Sequence, residues 1–90
     1  MGLWTRDNED WERPAMITCA LSGVVANREQ CPAIPYTPEE YGAEARRAWE
    51  AGAAQVHVHA RSPDGAPSYQ VADYRAIQAA IAAACPVIIN

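Results

Sequence analysis

The sequence predicts an α/β fold built on a small parallel sheet. Three observations carry this expectation. Short apolar runs begin near positions 15, 54 and 87, stretches of helical periodicity lie between them, and glycine or proline punctuates the joins. Strands that recur after 39 and then 33 residues, with helices between, are βα units. Such units make a parallel sheet covered by helices.

Residues 1–14 precede the first strand. They alternate in charge, carry Trp4 and Trp11, and end at Pro14 without helical or strand period. They read as a polar arm, either partly ordered or anchored by its tryptophans on a neighbouring surface. Residues 15–21 (AMITCAL) are apolar with a β-branched centre and predict a strand buried on both faces. A loop follows from Ser22 to Tyr36, broken by Pro32 and Pro35. Loops of this length in compact domains are often functional.

Thr37-Pro38-Glu39-Glu40 opens a helix with three agreeing signals. Thr37 is a cap, Pro38 suits the first helical position, and Glu40 closes a capping box. The helix is expected to run to about Ala51, with Tyr41, Ala45, Ala48 and Trp49 on its buried face and Gly52 as a left-handed stop. Residues 54–60 (AQVHVHA) alternate strictly, which is strand period. Residues 62–67 are turn chemistry. A second helix is expected to start near Ser68, with Tyr74, Ile77, Ile81 and Ala84 at helical spacing, and Pro86 ends it. Val87-Ile88-Ile89 is a third strand, expected to be buried. Three strands and two helices leave sheet edges open, which is a liability for a finished domain. Residues 15–90 therefore read as an incomplete domain, the opening β-α-β-α-β part of a (β/α)₈ TIM barrel of roughly 250 residues.

Composition narrows the chemistry. Of the 90 residues 11 are acidic and seven basic, a formal charge of −4, and every base is arginine. Without lysine these residues offer no Schiff base, P-loop lysine or lysine general base. The acidic balance and lack of basic runs argue against nucleic acid and anionic membrane as partners. The longest apolar run is far short of the roughly 20 residues of a membrane helix. Residues 1–13 lack the apolar region of a signal peptide. Alanine dominates the apolar residues, with two leucines and no phenylalanine, so the core is thin. Cys19, Cys31 and Cys85 form no CxxC pair, which suits a reducing cytosol.

The sharpest motif is His57-Val58-His59-Ala60-Arg61. Side chains two apart on a strand share a face with Cβ atoms roughly 7 Å apart. Two such imidazoles can converge on one cation at about 2.0–2.1 Å. The pair lies at the C-terminal end of its strand, where the active sites of parallel barrels form. Spacing alone leaves two readings open, a metal site or a pair of hydrogen-bonded sheet residues. Asp64 and Glu29 are the local candidates for a third ligand. Arg61 is either an anion-binding fork or an ion pair holding the loop, with Asp64 as its partner. Ser22-Gly23 is a candidate backbone-donor turn at the same sheet end, or a plain turn. Cys19 and Cys31 are the candidate thiolate nucleophiles, but Cys19 reads as a core residue, Cys85 sits in the last turn before Pro86, and Cys31 is the cysteine expected at the surface, so nucleophilic catalysis is not the favoured reading.

Together these strings resemble the N-terminal third of the β-keto acid cleavage enzymes, which include 3-keto-5-aminohexanoate cleavage enzyme. The likeness runs over residues 16–90 through ITCALSG, CPAIPYTPEE, EAGAAQVHVHARSPDGAPS and CPVIIN. The resemblance implies a (β/α)₈ barrel, usually a homo-oligomer, holding zinc or another divalent metal. It implies conversion of a β-keto acid and acetyl-CoA into acetoacetate and a new acyl-CoA. His57 and His59 match the two histidines of the family's HxH motif, two of its three metal ligands. The third ligand, a glutamate, and the acidic base with its arginine partner lie farther downstream in the family. No catalytic base is therefore expected within these residues, and the 90 residues alone are expected to be inactive. In the aminohexanoate enzyme an acidic residue two after the first-strand glycine helps bind the substrate amine. Val25 stands there in this chain, which argues against a positively charged amine in that subsite. The family often has asparagine where this chain has Cys31. Ser22, Gly23 and Arg61, from their place at the sheet end, are the candidate substrate-side residues. The other readings are a truncated, non-catalytic remnant or interaction module, and another HxH metal-dependent barrel hydrolase such as an amidohydrolase, which carries the pair on its first strand.

Overall fold

The computed structural model of the chain describes residues 13–90. The tryptophans expected to anchor the arm, Trp4 and Trp11, lie outside the described residues. The elements follow in the order β1 (Thr18–Ala20), α1 (Pro38–Glu50), β2 (Gln55–His57), α2 (Val71–Ala84) and β3 (Ile88–Ile89). The three strands form a parallel sheet in the order β1-β2-β3, as the spacing predicts. Thr18, Cys19 and Ala20 pair with Gln55, Val56 and His57, while Gln55 and Val56 pair with Ile88 and Ile89.

The strands are shorter than the apolar runs, although backbone bonds continue beyond them. The Leu21 amide donates to the His57 carbonyl, Val58 to Asn90 and Asn90 to Val56. Pairing with β1 then ends because Gly23 turns at φ +64°. Beyond Ala60 the chain folds back on itself, and Arg61 bridges Pro67 in antiparallel fashion. Ser68 donates its amide to the Ala60 carbonyl.

α1 starts as its sequence dictates. The Thr37 hydroxyl accepts from the Glu40 amide and the Glu40 carboxylate accepts from the Thr37 amide, with Pro38 opening the helix. Its stop is Gly52, at φ +113°. α2 starts three residues later than expected. The hydroxyl of buried Ser68 donates to the Asp73 carboxylate and accepts from the Gln70 amide, and Gln70, at the cap, makes no side-chain cap bond.

One face of the sheet is covered. Val56, Val58 and Ala60 from the β2 segment meet Tyr41 and Ala45 of α1, Ile77 and Ile81 of α2, and Cys85. The helices pack closely where Gly42 faces Ala80. A Cβ on Gly42 would lie 3.0 Å from the Ala80 carbonyl oxygen.

Three burial expectations are corrected. Trp49 is exposed, because the inner face of α1 centres on Tyr41, Gly42 and Ala45. β1 is not buried on both faces: Met16 and Ile17 are exposed beside it, and only the helix side of the strand is covered. Ile88 of β3 is likewise exposed, because Ile89 takes the helix side and the described residues leave the opposite face of the sheet uncovered. Cys19 is half-buried against the core, Cys31 is exposed and Cys85 is buried, all three free.

Candidate functional site

The period-two pattern of residues 54–60 sorts the strand into two faces. Val56, Val58 and Ala60 turn toward the helices and are buried, which leaves His57 and His59 together on the opposite, half-exposed face. Their Nε2 atoms lie 3.2 Å apart and their rings stand edge to face, with centroids 4.9 Å apart. Without a metal this contact is a hydrogen bond in which one ring donates and the other accepts. The same separation suits two ligands of one cation. Two nitrogens at about 2.0–2.1 Å from a tetrahedral ion are about 3.3–3.4 Å apart. The pair therefore fits as two arms of a metal site. Among the described residues no group of three or more histidine, cysteine, aspartate or glutamate side chains is gathered that could hold an ion. Neither Asp64 nor Glu29 joins the pair in such a group, and Asp64 instead accepts from the Ala66 amide.

Behind the histidines the strand ends are tied by a buried polar network. Tyr41, fully buried, reaches from α1 and donates its hydroxyl proton to the His59 carbonyl. The Ser22 hydroxyl lies 3.0 Å from the Tyr41 hydroxyl and 3.0 Å from the Gly23 carbonyl. With the tyrosine proton committed to His59, the serine proton serves the other two contacts. Burial pushes the Tyr41 phenol above its usual range, with partial opposition from Ser22 and Arg61. Sequence periodicity places Tyr41 on the core face of α1. It gives no sign that the hydroxyl is spent on the backbone of the HxH strand.

Arg61 has a different place from either sequence reading. It is buried, and its fork is spent on backbone carbonyls: Nη1 donates to Gly65, and Nη2 donates to Gly23 at 3.0 Å and Ser22 at 3.4 Å. Its guanidinium also lies 5.3 Å from the centre of the Tyr36 ring, and its Nε is buried with no protein partner. The pairing with Asp64 is not formed. The structure thus brings Ser22, Gly23 and Arg61 together, and joins them to the histidine strand through Tyr41 and the His59 carbonyl.

The loop of residues 22–36 is pinned rather than loose. Arg28 lies over the Tyr36 ring at 4.1 Å, donates to the Ile34 carbonyl and forms a 2.6 Å ion pair with Glu40. Tyr36 in turn accepts from the Arg28 amide and packs on Gly65, where a Cβ would fall 2.5 Å from its ring. Glu40 accepts from the Thr37 and Tyr36 amides and from Arg28, which together hold its carboxyl near pH 2 rather than its ordinary 4.5.

Comparison with known proteins adds what the geometry does not. The family model for beta-keto acid cleavage enzymes matches residues 14–90. The chain is 40% identical over 74 residues to the 3-keto-5-aminohexanoate cleavage enzyme of Fusobacterium nucleatum, covering 82% of this chain and 27% of that protein. It is 38% identical over 80 residues to the 3,5-dioxohexanoate:acetyl-CoA acetone transferase of Paraburkholderia graminis, covering 88% and 26%. It is also 38% identical over 66 residues to the 3-dehydrocarnitine:acetyl-CoA trimethylamine transferase of Rhizobium meliloti, covering 72% and 22%. The chain spans about a quarter of the length of these curated relatives. A match over almost all the described residues, with the histidine pair inside it, means that the chain belongs to the β-keto acid cleavage enzyme family.

Proposed function

We propose that this chain supplies the metal-binding opening of a zinc-dependent (β/α)₈ barrel that cleaves a β-keto acid with acetyl-CoA, giving acetoacetate and an acyl-CoA. The observation that carries the reading is the convergence of the His57 and His59 Nε2 atoms at 3.2 Å on one side of a parallel strand end. Relatives named as acetyl-CoA transferases of keto acids support the substrate class.

His57 and His59 would hold the ion, zinc or another divalent metal, with the third ligand coming from outside the described residues. When bound, that ion supplies a Lewis acid for the substrate keto oxygen. The Ser22-Gly23 turn stands at the same sheet end and offers its backbone to the substrate. Arg61 fixes that turn from behind by holding both carbonyls. Val25, exposed two residues past Gly23, puts an apolar side chain where an acid would be needed for a cationic amine. The general base, like the third ligand, comes from residues downstream of these 90, so the 90 residues alone are inactive. The exposed edges beside β1 and β3 support assembly with further strands and a homo-oligomer, and three free thiols suit the cytosol. No helix among the described residues is long and apolar enough to cross a membrane.

The test is elemental analysis of the complete protein beside an acetyl-CoA-dependent cleavage assay. The expected result is near-stoichiometric divalent metal, lost with His57→Ala or His59→Ala together with activity. Full activity with both histidines replaced overturns the reading.

A further inference from the structure

The ladder between β1 and β2 fails at the residue the site depends on. β1 pairs through Ala20 with His57, and the Leu21 amide donates to the His57 carbonyl. In a parallel ladder the next donor on that side is two residues on, so the Gly23 amide would serve the His59 carbonyl. That bond is not made. Gly23 leaves the extended region at φ +64°, and Arg61 holds the carbonyls of Ser22 and Gly23. Among the described residues no backbone donor reaches the His59 carbonyl. The Tyr41 hydroxyl takes it instead, from a side chain with no exposed surface.

We infer that Tyr41 is a positioning residue for the histidine pair, standing in for the missing ladder donor and fixing the His59 backbone so that its ring meets that of His57. The inference rests on the reading of His57 and His59 as metal ligands only for its consequence, not for its geometry. Residue 59 lies past the last paired residue of β2, so its ring direction is set by whatever holds its peptide. A donor on a helix packed into the core holds that peptide more rigidly than solvent would. A ligand pair needs its supporting shell to be rigid.

The experiment compares three forms of the complete protein: wild type, Tyr41→Phe and Ile81→Val. Ile81 is fully buried in α2 and makes the second variant a control for lost core stability. The first readout is the imidazole ¹⁵N spectrum of the metal-free protein at fixed pH. A wild type with the 3.2 Å contact shows one protonated and one bare Nε2. Tyr41→Phe should collapse this difference toward averaged rings, and Ile81→Val should keep it. The second readout is cobalt(II) titration, where Tyr41→Phe should weaken binding about tenfold, as loss of an outer-shell partner does. A Tyr41→Phe spectrum identical to wild type overturns the inference. So does an Ile81→Val spectrum that collapses as far, or a wild type already averaged. If the wild type takes no cobalt, the metal reading of the site fails, while the ring spectra still decide on Tyr41.

Discussion

The two helices of this chain are similar in length and do different work. α1 begins with a complete capping box, and its first two turns carry Glu40, which pins the preceding loop, and Tyr41, which reaches the strand ends. Glu40 gathers the Thr37 and Tyr36 amides and Arg28, and Tyr41 reaches Ser22 and the His59 carbonyl. α2 begins at Gln70 with no side-chain cap, and its contribution to the fold is apolar: Ile77 and Ile81 against the sheet and α1. One helix is specified by hydrogen bonds at its start, the other by burial along its length. Removing burial should therefore loosen the whole domain, whereas removing the cap should loosen one corner and leave the rest.

Truncation of α2 carries the largest expected effect. Ile81→Ala removes a fully buried side chain from a small core in which half of the buried residues are alanine or valine, which leaves few atoms to close the cavity. The expected loss is about 2–5 kcal/mol of unfolding free energy. Urea melts of the complete protein followed by circular dichroism check it. A loss below about 1 kcal/mol would mean that α2 is not what holds the sheet.

Glu40→Gln tests the other side of the comparison and has a pH signature. The carboxyl titrates near 2 in the folded chain against an ordinary 4.5, because three donors favour its charged form. A depressed folded value means that the charge stabilises the fold above pH 4.5, and that this contribution is lost as pH falls from 4.5 through about 2. The ion pair with Arg28 is more than a third exposed on both sides, so screening holds the effect to about 1 kcal/mol or less at neutral pH. Wild type should exceed the variant in thermal midpoint at pH 7, and the two should converge near pH 2. Amide exchange should quicken in residues 28–37 of the variant and stay unchanged in α2. A constant difference across that range would remove Glu40 charge from the account.

The same contrast explains what the sequence made legible. Elements set by local rules were readable: the Thr37-Pro38-Glu40 cap, the Gly52 stop, and the alternation that puts His57 and His59 on one face. So was the parallel order, since βα spacing leaves few topologies. Features that depend on contacts distant in sequence were not. Arg61 looked like the next residue on the histidine face, but β2 ends at His57, the chain folds back beyond Ala60, and the guanidinium is drawn to carbonyls 38 and 39 positions away. Tyr41 looked like core because periodicity reads apolar area and not where a hydroxyl points. Trp49 looked buried because helical spacing does not show that the helices meet at Gly42.

The smallest effect is a gain, and it reverses the comparison by giving α2 the kind of start that α1 has. Gln70 already sits at the extended backbone angles of an N-cap, φ −77° and ψ 133°, but its side chain makes no cap bond. Aspartate there is short enough for its side chain to accept from an amide of the first turn, where that of Asp73 now donates only to the Gln70 carbonyl, and its charge suits the positive end of the helix. Asp73 lies in that same turn and is already occupied by Ser68, so two carboxylates would stand close and oppose part of the gain. The expected net stabilisation of Gln70→Asp is about 0.5 kcal/mol at pH 7. Gln70→Ser, which brings the cap without the charge, should match or exceed it if repulsion from Asp73 matters. Urea midpoints of the two variants decide between these outcomes. No gain from either would show that burial of Ile77 and Ile81 already fixes the start of α2, leaving capping with nothing to add.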